Sequence, residues 1–99
     1  MSQRAEDPES VRAIAKRLIA TRVALGLNQA EWCRRVGISP QAWSNYESAR
    51  NRINHDQALR VCKAIGVSLD WIYRGEASIL PHNLAISIRS AMQAGDKSD

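Results

Sequence analysis

No arrangement of side chains in this 99-residue sequence points to covalent chemistry. His55 and His82 are lone histidines, with no carboxylate or serine arrangement around them to make a base or a nucleophile. Cys33 and Cys62 are the two cysteines, and no Cys/His spacing has the form of a zinc site. Each cysteine falls on the apolar side of a predicted helix, where a thiol behaves as a small apolar group. What remains is recognition chemistry. Pro40, Gln41, Ser44 and Asn45 repeat at a spacing that puts them on one helix face, nearly opposite Trp43, Tyr46 and Glu47. That outer face is polar, short-armed and uncharged. Glutamine and asparagine can each pair with adenine N6 and N7, worth about 1–3 kcal/mol of discrimination when both bonds form. Such a face suits reading base edges better than bulk electrostatic attraction.

The elements that would carry this face are short. Trp32, Cys33 and Val36 share the inner side of a helix predicted over residues 29–36, with Asn28 as its N-cap. Val36-Gly37-Ile38 reads as a tight corner, because glycine accepts the left-handed backbone that ends a helix. Ser39 is a suitable N-cap and Pro40 a suitable first residue for the next helix, predicted over residues 40–48. Ahead of this pair, a helix is predicted from residue 9 or 10 to 25. Val11, Ile14, Ala15, Leu18, Val23 and Leu25 form its apolar stripe. After it come a helix over residues 55–65, capped by Asn54 and stopped by Gly66, and a short one from Ser68 to Gly75. Trp43 and Tyr46 are expected in the core rather than stacked on nucleotides.

Several stretches together resemble the helix-turn-helix of the lambdoid-phage repressor and Cro family, also called the Xre family. They are LGLNQAE at residues 25–31, the Gly37-Ile38-Ser39 corner, Trp43-Ser44 followed by Glu47, and AIGVSLDWIYRG at residues 64–75. The resemblance covers roughly residues 11–75 and implies an all-α, compact five-helix domain from a bacterium or phage. It makes residues 40–48 the recognition helix, with Gln41 and Asn45 the main base readers and Ser44 nearer the helix–groove seam. By the same resemblance Asn28, Gln29 and Ser39 belong to the DNA-contacting set, and Arg22 pairs with Glu47. Arg50, Asn51 and Arg52 lie where the family grips the sugar–phosphate backbone. The chain departs from the family at Pro40, which can make only apolar contact, and at Ala49, where a glycine usually turns the chain. Alanine is costly in that conformation, so the turn is expected to fall later, at Arg50-Asn51.

Composition bounds the reading. One domain is the natural expectation for this length, and 44% apolar residues suffice for a modest core. No apolar run reaches membrane-spanning length, and residues 1–10 lack a signal-peptide pattern, so a cytoplasmic protein is expected. The net charge is +4, but residues 11–60 hold nine Arg/Lys against three acids. A local excess of +6 fits an anionic partner such as duplex DNA; an ordinary solvated surface would look the same.

The domain organisation expected is a disordered segment at residues 1–9, a helix-turn-helix domain at 10–76, a C-terminal helix at 77–94 and a polar tail at 95–99. Leu80, Leu84, Ile88 and Met92 form an apolar stripe on the C-terminal helix. Three readings compete: it packs back on its own domain, it stays partly disordered, or it contacts a second subunit; a homodimer is the expectation. The function implied is a sequence-specific double-stranded DNA-binding regulator, a repressor on a roughly palindromic operator, with no catalysis, metal or cofactor. The rival is a protein-interaction module such as an antitoxin, which holds a protein partner through its C-terminal segment.

Overall fold

In a computed structural model of the chain, residues 6–97 are described. They form six α-helices, with no strand among the described residues: α1 Val11–Ala24, α2 Gln29–Val36, α3 Pro40–Glu47, α4 His55–Ile65, α5 Leu69–Arg74 and α6 His82–Lys97. The fold is all-α. Five of the starts are set by local side chains. Ser10, Asn28, Ser39, Asn54 and Ser68 each accept a hydrogen bond from the backbone N–H three residues on. This satisfies a donor that a helix start otherwise leaves without a partner. At Asn28 the cap is reciprocal, since the Glu31 carboxylate accepts from the Asn28 N–H at 2.9 Å.

The corner between α2 and α3 turns on Gly37, whose φ is +75°. An added Cβ there would sit 3.3 Å from an Arg60 guanidinium nitrogen, and that guanidinium donates to the Gly37 carbonyl at 2.9 Å. The core lies beneath this corner. Trp32 and Trp43, both fully buried, meet with ring centroids 5.2 Å apart, and Tyr46 meets Trp43 edge-on at 6.0 Å. Ile14, Leu18, Val61 and Ile72 close around them.

The first helix departs from its expected stripe at one residue: Val23 is 48% exposed. The polar Arg17 and Thr21 are inside instead. Arg17 donates twice to the Ile72 carbonyl, at 2.9 and 3.1 Å, and once to the Pro8 carbonyl. It thereby satisfies a carbonyl in the last turns of α5 that the short helix cannot satisfy itself. Burial lowers its pKa, opposed by the nearby Glu6 charge. Thr21 accepts from the Trp71 indole at 3.0 Å.

The expectation of disorder over residues 1–9 lies, for residues 1–5, outside the described residues. Residues 7–10 make a turn in which the Ser10 N–H donates to the Asp7 carbonyl at 3.0 Å. Arg17 and Arg52 pin this turn by donating to the carbonyls of Pro8 and Glu9.

On the C-terminal side, α6 packs along α1. Leu80 is 8% and Ile88 2% exposed, and Leu84 and Met92 lie against the same core. The apolar stripe is therefore covered by its own chain. The helix runs to Lys97, through part of the stretch read as a polar tail, and residues 98 and 99 lie outside the described residues. No helix among the described residues is long and apolar enough to cross a membrane.

Candidate nucleic-acid interface

The outer face of α3 carries Pro40, Gln41 and Ser44 in the open, with Asn45 half-buried. Its inner face is anchored by Trp43 and Tyr46. Anchored aromatics on one side and free amides on the other present polar groups from a rigid helix. Ser39 is exposed but committed, because its hydroxyl accepts from the Ala42 N–H at 3.2 Å. Asn28 is likewise exposed and committed as a cap, accepting from the Glu31 N–H at 2.8 Å.

Glu47, at the end of α3, joins three helices. Its carboxylate accepts from Arg22 of α1 at both oxygens, 2.7 Å from Nε and 3.1 Å from Nη2. It accepts from the Trp43 indole at 2.6 Å and from the Gln29 amide at 2.9 Å. Arg22 spends a further N–H on the Leu27 carbonyl at 2.9 Å, which ties the α1–α2 loop to the same group. Side-chain exposure is 15% for Arg22 and 7% for Glu47, so the pair is shielded from solvent. Burial raises the Glu47 carboxyl's pKa, but the hydrogen bonds from Arg22, Gln29 and Trp43 outweigh it and hold the group below its ordinary value.

The Arg22–Glu47 pair expected from the resemblance is thus present as a fork-to-fork contact. The part played by Gln29 and Trp43 was not anticipated. Trp43 and Glu47 stand at i and i+4, so that contact had a sequence signal. Gln29 lies 18 residues from Glu47 and gave none.

The turn after α3 corrects another expectation. Ala49 itself takes the left-handed conformation, with φ +64°. The Ala49 N–H donates to the Tyr46 carbonyl at 3.2 Å and the Arg50 N–H to the Asn45 carbonyl at 2.9 Å. These two bonds make a Schellman closure with alanine in the usual glycine position. The turn stays put because Ile53, four residues on, must reach the core, where it is 1% exposed. Tyr73 fixes it there by donating to the Ile53 carbonyl at 2.7 Å.

Arg50, Asn51 and Arg52 therefore lie exposed on a loop held at both ends. Arg52 also donates to the Glu9 carbonyl at 2.7 Å. Not all of the local positive charge is surface charge: Arg17 is buried and Arg22 is neutralised. Arg12 and Lys16 remain exposed on α1, and Arg34, Arg35, Arg50, Arg52 and Arg60 on α2, α4 and the intervening loop.

Neither cysteine suits reactivity. Cys33 is buried and Cys62 half-buried, both are free thiols, and burial raises both pKa values. Among the described residues no cluster of His, Cys, Asp or Glu could hold a metal ion.

The arrangement is that of a helix-turn-helix. A helix-turn-helix domain family matches residues 13–72, and the chain belongs to that family. A Rhodospirillum rubrum protein, described as an uncharacterized transcriptional regulator in ATPase CF(0) region, is 35% identical over 60 residues. That match takes in 61% of this chain and 56% of the relative. No solved structure matches significantly. The fold and the family together define a helix-turn-helix domain.

Proposed function

We propose that this chain binds duplex DNA sequence-specifically as a transcription regulator of the repressor/Cro type, with α3 in the major groove. The observation that carries the reading is the two-sided α3. Gln41 and Ser44 are free on one face, while Glu47 and Tyr46 lock the other to α1, α2 and α4 through Arg22, Gln29 and Gln57. Gln41 and Asn45 read base edges, with Pro40 in apolar contact and Ser44 nearer the seam. Asn28, Gln29 and Ser39 approach the phosphates at the helix starts, and Arg50, Asn51 and Arg52 grip the backbone beyond α3.

The protein acts as a homodimer on a roughly palindromic operator, with half-site centres about 34–36 Å apart. One helix-turn-helix reads too few base pairs to select a genomic site. With Leu80 and Ile88 covered by their own chain, the C-terminal segment offers a second copy the exposed Ile79 and Ile86.

Selection of bound sequences from a random duplex pool tests the reading. A defined palindrome should emerge, and a dimer touching roughly six to ten phosphates should lose about 10³–10⁵ in affinity between 50 and 200 mM salt. Recovery of no preferred sequence, or binding indifferent to salt, refutes it.

A further inference from the structure

Gln29 is exposed, the first residue of α2, and still not free. An ionised carboxylate only accepts hydrogen bonds, so of the two ends of the Gln29 amide only the nitrogen can face Glu47. The 2.9 Å contact therefore fixes which way round the amide lies. One N–H is spent on Glu47, and the second N–H and the carbonyl oxygen remain for another partner. The same carboxylate holds the Trp43 indole of α3 and the Arg22 guanidinium of α1.

We propose that Glu47 is a positioning residue for DNA binding: its carboxylate holds the Gln29 amide in one orientation at the start of α2, in fixed relation to the seat of α3. The inference rests on the DNA-binding reading above and adds to it a residue that touches no DNA. An exposed glutamine normally loses rotamer freedom when it binds a phosphate. Here that loss is already met within the free protein, through a group buried beneath the recognition helix. Because Arg22 and Trp43 seat the same carboxylate, the phosphate contact at Gln29 and the base contacts of α3 are held to a single spacing.

The test is a coupling measurement on the full chain. The probe is the duplex that wild type selects from a random pool, with a scrambled duplex as control. Gln29→Ala should weaken binding on the order of tenfold, the scale of a hydrogen bond to a charged group. Gln29→Asn keeps an amide but is one methylene too short for Glu47, and should lose about as much. Glu47→Gln leaves one oxygen where the donors use two, so Gln29 loses its fixed acceptor. In that background Gln29→Ala should cost less than about twofold.

A purely structural Glu47 would leave the cost of Gln29→Ala the same in both backgrounds, and that result overturns the proposal. If Glu47→Gln fails to fold, Gln29→Asn decides, and wild-type affinity in that variant overturns the proposal too. If wild type binds no duplex at low salt, the DNA-binding reading fails and takes this one with it. Binding without coupling sinks only the positioning role.

Discussion

Replacing Glu47 with alanine should cost the protein a large part of its stability, and the cost should depend on pH in a defined direction. The substitution removes the acceptor for Arg22, Trp43 and Gln29 together. Arg22 keeps only the Leu27 carbonyl, with its side chain 15% exposed. A guanidinium so shielded and deprived of its partner puts the loss near the range for a broken buried pair, about 3–5 kcal/mol. Domains of this size have only about 5–15 kcal/mol in total. At about 4–8 °C per kcal/mol, the melting temperature should fall by roughly 12 °C or more.

The pH dependence follows from the lowered pKa of the Glu47 carboxyl. A carboxyl that titrates lower in the folded chain than in the unfolded one binds fewer protons when folded. Its contribution is complete above the unfolded value, about 4.3, and fades as pH falls through the folded value. The gap between wild type and Glu47→Ala should be widest near neutrality and narrow below about pH 4. Urea denaturation of both proteins at pH 7, 5, 4 and 3 measures it. A midpoint unchanged at pH 7 would mean that solvent screens the pair. A gap constant down to pH 3 would mean that the ionised carboxylate is not its source.

Ala49→Gly should stabilise the chain by about 0.5–1 kcal/mol, because left-handed backbone costs alanine roughly 1–2 kcal/mol and glycine gives back part of that gain in entropy; a lower thermal midpoint would count against the turn described here. Ile88→Ala should cost about 2–5 kcal/mol, as expected for a side chain 2% exposed, whereas Ser87→Ala, at an exposed position, should stay within about 0.5 kcal/mol. Equal effects in chemical denaturation would contradict the seating of α6. Gln41→Ala and Asn45→Ala should relax base preference at particular positions, while Arg52→Ala should weaken binding to all sequences alike. Pool selections repeated with each variant separate these outcomes.

What the sequence determined by itself is local. Ser10, Asn28, Ser39, Asn54 and Ser68 mark helix starts because each cap acts within a single turn. Gly37 marks the corner because its backbone requirement is its own. The two faces of α3 follow from helical periodicity alone, so the candidate reading face was legible without a structure. The Arg22–Glu47 pair came from family resemblance, and the fold placed its atoms.

What the sequence left open depends on partners far along the chain. Gln29 carries no local sign that its amide will meet a carboxylate 18 residues away. Arg17 has the composition of surface charge, and only the packing of α5 on α1 supplies the Ile72 carbonyl that draws it inside. Local preference argues against Ala49 in a left-handed turn, yet Ile53 must be buried beyond it, and core packing outweighs a strain of roughly 1–2 kcal/mol. The stripe of α6 is equally apolar whether it meets its own chain or a second one. Periodicity reports that a face is to be covered, and only the tertiary structure decides that α1 and the core beneath it cover it.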